Sequence, residues 1–534
     1  MRGSIKHCCP AFSEDTMKHR TGTVYKICCS LFMLLTLVMF TGCGNDVETV
    51  PEPDPSGKDF SEYKTPGSME KAYDYSFFFL PGQDKKGQAY VGDTMPYYED
   101  GKYYIYYLKD GGDSYNHSVY LAVTEDFVSY MEYPEPVLES DRGGGQDVWI
   151  GTGSVIKVNG EYLFFYTGHA ASDHFEYKEV IMLAKGSTPY KFEKVEDYRI
   201  TPPDSLGQKR DFRDPEAQYD ETTGKIILTV TAAQGGLARI LKFTTDADGS
   251  NARYDGIIFT DPAGKFWNLE CSDTFSIGGK HYITYSAQDD TLWYAVSDTP
   301  YGPYSGASRL DGKLFYAAKH VKGSSGDYMI GWARRSESQS STQDVSAWAG
   351  NLAVQRIEAG EDGSLYLVPA ENIEAGFVKE CTVYPEKGQV TIEAGSAFSY
   401  TECFTAYERF MLKGDMTFTG AGDFGLAFDF NGKKDKYKLI DFCPKENRLK
   451  LMFNEGMTPI TETELELEPG VTYPFTYIQE GSVGIIYIGD KAALTVRLYG
   501  VSGKAISLYA ANNTVVFSNL HEYIKTDGEA IRGL

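Results

Sequence analysis

From about residue 75 onward, apolar positions come in short blocks rich in Tyr, Phe, Ile and Val, broken by Gly, Asn and Asp. Blocks of this kind predict strands and turns, and long stretches with a helical period are hard to find. One local pattern recurs: a turn glycine, a polar residue, then a run of aromatic or β-branched residues. It occupies Gly101 to Tyr107, Gly160 to Tyr166, Gly224 to Val230, Gly279 to Tyr285 and Gly326 to Trp332, with the glycines 47 to 64 residues apart. A period near 50 built only from short strands matches a four-stranded propeller blade, which cannot bury both faces alone and stacks on its neighbours. The chain is therefore expected to be all-β, with a five-bladed β-propeller over 71–371. Unrelated hairpins in a sandwich are the alternative on the same signals. After Trp348 the repeat stops. A turn at Glu358 to Gly363 and a strand at Leu365 to Val368 put a boundary near 372, and the strands of 372–534, such as Phe424 to Phe430 and Gly484 to Ile488, predict a C-terminal β-sandwich.

The 534 residues are 42% hydrophobic and 14% aromatic, which excludes wholesale disorder. Lys and Arg number 51 against 75 Asp and Glu, giving a net charge of −24. A surface this acidic repels phosphates, so no nucleic-acid partner is expected, whereas neutral ligands such as sugars fit.

Five of the nine cysteines fall at or before position 43. There Lys18, Arg20 and Lys26 precede an uncharged stretch from Ile27 to Phe40, which ends in Thr41-Gly42-Cys43. The stretch is shorter than the roughly 20 apolar residues a spanning helix needs. It resembles a bacterial lipoprotein signal over 1–43, in which Cys43 would be lipidated and hold the protein on the cell envelope, with an ordinary cleaved signal as the alternative. Met17 as the start would give that signal a conventional length. Residues 44–70, acidic and with prolines at 51, 53, 55 and 66, read as a flexible tether. The four remaining cysteines lack paired spacing, so neither a disulfide framework nor a zinc site is expected.

In a propeller the residues just before each repeat glycine belong to the strand lining the channel or to its entry. Three of these positions carry acids: Asp93, 8 residues before Gly101; Asp214, 10 before Gly224; and Glu270, 9 before Gly279. Equivalent offsets in three blades would bring them together at one end of the channel. Converging carboxylates raise at least one pKa, which lets one act as an acid while another stays an ionised nucleophile, as glycoside hydrolysis requires. Such chemistry needs no cofactor and no metal. Trp149, Trp267 and Trp332 are candidates for stacking on sugar faces, with blade packing as the equal alternative. Asp113, Ser114 and His117, and likewise His169, Asp173 and His174, read as polar loops rather than a triad or a metal site, and the glycines 143–145 read as flexible backbone near the channel mouth rather than a phosphate loop.

The residues around these acids resemble the signature blocks of glycoside hydrolase family 32, the β-fructosidases. Gly92-Asp93-Thr94-Met95-Pro96 is similar to its first block, Arg213-Asp214-Pro215 to its second and Glu270-Cys271 to its third. Gly151 to Ser154, Ser297 to Tyr304, Asp311-Gly312 with Phe315 to Ala317, and Trp348 to Leu352 are further similar stretches, and all these blocks occur in family order. The resemblance implies a propeller followed by a sandwich, with Asp93 as nucleophile, Glu270 as general acid/base, Asp214 as transition-state stabiliser and Arg213 on fructose hydroxyls. Met95 and Asp311, inside the similar blocks, are further candidate substrate contacts. Fructans such as levan and inulin, or sucrose, are the implied substrates. The usual Asn-Asp-Pro-Asn-Gly of the first block is altered here on both sides of Asp93. A non-catalytic fructan-binding lipoprotein and a propeller furanosidase acting on another glycan are the alternatives.

Overall fold

The computed structural model describes residues 76–525, apart from 83–87, 112–116, 172–173, 209, 341, 343–344, 386–387, 431–436 and 454–457. The expected signal with Cys43, the tether, Asp113, Ser114 and Asp173 lie outside the described residues.

Five four-stranded antiparallel blades follow one another along the chain, each in simple up-and-down order; blades II, III and IV are separate sheets, and blades I and V are joined in one eight-stranded sheet. Blade I holds Tyr90–Glu99, Lys102–Asp110, Val119–Thr124 and Met131–Leu138; blade II holds Trp149–Val158, Glu161–His169, Glu179–Thr188 and Lys191–Lys194. Blade III holds Phe212–Asp220, Lys225–Gln234, Leu237–Asp246 and Arg253–Thr260; blade IV holds Leu269–Ile277, Lys280–Ala287, Leu292–Ser297 and Ser305–Arg309. Blade V is Phe315–Lys322, Asp327–Arg335, Ala347–Ala359 and Leu365–Val368. The first strands contact one another in cyclic order, I to II to III to IV to V and back to I, so they line the channel. The ring is also joined through Val91, which pairs with Gly350 of blade V. The five sequence repeats are the turn into each blade's second strand. Their glycines 101, 160, 224, 279 and 326 all have positive φ, which a tight turn admits without steric cost.

Each blade buries apolar side chains against the next. Leu121, Tyr104 and Tyr106 of blade I meet Phe164, Tyr166 and Met182 of blade II, and Phe165 and Leu183 of blade II meet Phe212, Leu228 and Phe243 of blade III. A larger cluster joins blades IV, V and I.

The rest of the chain forms a seven-stranded and a six-stranded antiparallel sheet facing each other across a second core. Strand alternation builds that core: Ile506, Leu508 and Ala510 point into it from Ala505–Ala510. The two parts share buried contacts. Met411, Ile478 and Ile485 of the sandwich sit in the same cluster as Trp332 and Val354 of blade V. Arg497 reaches across to donate to the carbonyls of Arg334 at 2.9 Å and Ala333 at 2.8 Å. The all-β expectation of a propeller followed by a sandwich is the architecture that forms.

Candidate active site

The first strand of every blade breaks register at the same level. The irregularity falls between Val91 and Thr94, between Gly151 and Gly153, between Arg213 and Glu216, between Glu270 and Asp273, and between Tyr316 and Lys319. A bulge re-aims one side chain out of the ordinary alternation. Here five of them turn side chains toward one end of the channel. Asp214, Cys271 and Ala317 adopt the left-handed region, with φ of 56°, 50° and 50°, a strained conformation for residues with a β-carbon.

Each carboxylate has its own partners. Asp93 accepts from the Thr152 hydroxyl at Oδ2, 2.9 Å, and from the Trp332 indole N–H at Oδ1, 3.1 Å. Burial pushes its pKa above the usual aspartate range and nearby Glu270 adds to this, while the two hydrogen bonds and Arg334 oppose it. Asp214 is buried and accepts from the Cys271 amide at 2.8 Å. Burial raises its pKa to about 7 against the opposing Arg213 charge. Glu270 accepts from Tyr316 at Oε2, 2.6 Å, and from Arg213 Nη2 at Oε1, 3.0 Å. Burial pushes the Tyr316 phenol well above its ordinary pKa, so it stays a donor.

Shared neighbours bind the three acids into one site. Thr152 lies 3.5 Å from the Cys271 sulfur as well as on Asp93. Thr167 accepts from the Asp214 amide at 2.8 Å and donates to the Thr152 carbonyl at 2.9 Å. Arg213 is held on its far side by Glu179, Nη1 to Oε1 at 3.2 Å, and Glu179 also accepts from the Phe212 amide at 3.0 Å. Burial alone would raise the Glu179 pKa, but the Arg213 charge, His169 and that amide bring it down to about 2.

One layer deeper, Lys319 bridges Glu216 Oε2 at 2.7 Å and the Gly153 carbonyl at 2.9 Å. It ties together the bulges of blades II, III and V.

The remaining candidates divide. Trp149 and Trp267 are 37% and 39% exposed and flank the Arg213–Glu179 pair. Trp149 lies 5.3 Å from the ring of His169, which faces Glu179, and the Arg213 guanidinium lies 5.9 Å from the Trp267 ring. Trp332 has no exposed surface, so it cannot offer a face to a sugar; it serves Asp93 through its N–H instead. Met95 does not contact the channel as expected. It is buried between blades I and II, where its sulfur accepts from the Gly153 amide at 3.1 Å. Asp311 is likewise corrected: it is fully buried at the junction with the sandwich, accepting from the Thr495 amide at 2.9 Å and from Gln355 at 3.1 Å.

Thr152 and Tyr316 are the partners that counting only acids misses. They lie 8 and 10 residues before Gly160 and Gly326, the same offsets that single out Asp93, Asp214 and Glu270. Glu179 sits in a third strand and had no comparable signal. The cysteines Cys271, Cys381, Cys403 and Cys443 are all free.

The chain is 23% identical over 335 residues to an acid beta-fructofuranosidase of Vigna radiata var. radiata, covering 56% of this chain and 50% of that one. It thus spans about half the length of that relative. A raffinose invertase of Escherichia coli is 22% identical over 447 residues, covering 79% of this chain and 90% of its own. The crystal structure of an exo-inulinase from Aspergillus awamori shares the fold with a TM-score of 0.68 at 15% identity, over 86% of this chain and 100% of that one. Residues 93–369, more than half of the chain, match the family model of the glycosyl hydrolases family 32 N-terminal domain, and the chain belongs to that family.

Proposed function

We propose that the protein is a retaining β-fructosidase that cleaves fructans such as levan and inulin, or sucrose. The observation that carries this reading is the set of three carboxylates from blades I, III and IV at one level of the channel, each with different partners. Asp93, its two oxygens fixed by Thr152 and Trp332, attacks the anomeric carbon of a fructosyl unit as the bond to the leaving oxygen breaks. Glu270 gives its proton to that oxygen. Water then attacks the same carbon, passes a proton to Glu270 and frees Asp93. Asp214 holds ring hydroxyls, and its bonds to them tighten as oxocarbenium character develops. Arg213 orients Glu270 and Asp214 rather than acting alone on the sugar. Trp149 and Trp267 supply exposed ring faces at the rim for neighbouring sugar units. The acid beta-fructofuranosidase, the raffinose invertase and the exo-inulinase support a fructosyl substrate.

A fructan-binding protein without turnover is the second reading, and one feature favours it. A β-carbon at Gly92 would lie 2.4 Å from the Trp348 ring, so the asparagine usual beside the nucleophile has no room. Two of the other three altered positions weigh less, because Thr94 donates to the Ile330 carbonyl and Met95 packs between blades.

The intact chain incubated with sucrose, inulin, levan and an arabinan separates the readings. Fructose or fructo-oligosaccharides are expected from at least one fructosyl substrate, with Asp93→Asn and Glu270→Gln each lowering turnover at least about 1,000-fold. Binding without release would support the binder, and release from the arabinan alone the furanosidase. We also propose that Cys43 is lipidated and tethers a catalytic unit of 71–371 and a sandwich of 372–534 to the bacterial envelope. Radiolabelled palmitate incorporated by the wild type and lost in Cys43→Ala tests this.

A further inference from the structure

Both partners that blade V gives to the catalytic pair stand against one buried cation. Tyr316 and Trp332 face each other across the blade's first two strands, with ring centroids 5.5 Å apart and planes at 64°. Tyr316 donates to Glu270, and Trp332 donates to Asp93. Arg334 lies two residues beyond Trp332 on the same face of its strand. Its guanidinium is 4.4 Å from the Tyr316 ring and 5.3 Å from the Trp332 ring. The side chain is only 7% exposed. One Nη donates to Asp290 at 2.9 Å, while Nε is buried without a hydrogen-bond partner. A buried guanidinium that leaves a donor unused is costly, so packing alone is a poor account of it. The attraction of a cation for two ring faces offsets part of that cost.

We infer that Arg334 is a positioning residue for the reaction proposed above: it clamps Tyr316 and Trp332, and so fixes Glu270 and Asp93 relative to one another. Its charge also favours the ionised nucleophile. Among the described residues, the groups that act on Asp93 or share its surroundings are Glu270, which opposes ionisation, Asp214, the Cys271 thiol, the Thr152 and Trp332 donors, and Arg334. Arg334 is the cation in that set. Asp290 holds it from the turn between the second and third strands of blade IV, so blades IV and V meet in this contact.

The inference rests on the β-fructosidase reading, and the test keeps the two apart. On whichever fructosyl substrate the wild type turns over, kcat and KM are measured from pH 4 to 8 for Arg334→Met and Arg334→Lys. Arg334→Met is expected to lower kcat by about tenfold with KM changed far less, because misplaced reacting groups cost rate rather than binding. Its acid limb is expected to move up by roughly half a pH unit, a further threefold loss of kcat/KM at low pH. Arg334→Lys, which keeps the charge but loses the planar stack, should lose kcat with its acid limb in place. An Arg334→Met enzyme with an unshifted limb and a fall in melting temperature alone would overturn the inference. A wild type inactive on every fructosyl substrate would instead sink the reading beneath it.

Discussion

Each oxygen of Asp93 has a donor from a different blade, Thr152 from blade II and Trp332 from blade V. Hydrogen bonds to a charged group are worth about 1.5–3 kcal/mol, enough to hold an anion that burial disfavours. Thr152→Val is therefore expected to raise the Asp93 pKa and move the acid limb of kcat/KM upward by roughly one pH unit, read from a pH–rate profile. Asp214 makes a prediction about stability. Its pKa is about 7 folded, against an ordinary aspartate value unfolded, so between those values the native state keeps a proton that the unfolded chain has lost. Stability then falls as pH rises through that window, by about 1.4 kcal/mol per pH unit at most. Asp214→Asn removes this slope. Denaturant titrations at pH 4 and pH 8 should show the variant gaining stability over the wild type at the higher pH, and an unchanged difference would refute the assignment. At this scale the sequence is legible wherever the repeat offset can be counted. Glu179 and Arg334 escape because their importance comes from neighbours in other strands, which no local spacing records.

Among the elements, the first strands of the blades build the site. Their shared bulges let strands otherwise committed to blade packing present Asp93, Thr152, Asp214, Glu270 and Tyr316 at one level. The repeat glycines foretell the second strands directly, since a positive-φ turn followed by alternating aromatics leaves few other readings. The bulges themselves are not visible in hydropathy, because one extra residue changes no pattern of apolar positions. Gly153 shows how tightly the bulge of blade II is built. A β-carbon there would lie 2.1 Å from the Phe165 carbonyl and 2.8 Å from the Tyr166 Cα. Gly153→Val is expected to cost about 1–3 kcal/mol in thermal denaturation and to lower kcat by shifting Thr152, whose hydroxyl sits beside it. A variant as stable and as active as the wild type would contradict this reading of the bulge.

For the molecule as a whole, the propeller and the sandwich are bound through polar contacts that lose their meaning if either part is absent. Arg497 satisfies two carbonyls of blade V and the Asn351 side chain, and Thr495 satisfies the buried Asp311. Asp311, expected from its block to contact substrate, illustrates the limit of sequence: its partner lies 184 positions away in another sheet. Removing the sandwich would orphan these groups and expose the apolar cluster shared by Met411, Ile478 and Trp332. The intact chain should therefore melt in one transition, and a fragment ending at 371 should be insoluble or unfolded by circular dichroism.

In the proposed reaction Asp93 is the nucleophile of a site assembled from blades I, III and IV. Covalent capture tests it most directly. The Glu270→Ala variant is given an activated aryl β-fructoside, whose leaving group needs no proton, and the chain is quenched, digested and examined by mass spectrometry. A nucleophilic Asp93 is expected to yield an Asp93-containing peptide heavier by one fructosyl unit. A fructosyl label on Asp214 or elsewhere, or turnover with inverted stereochemistry and no label, would contradict it.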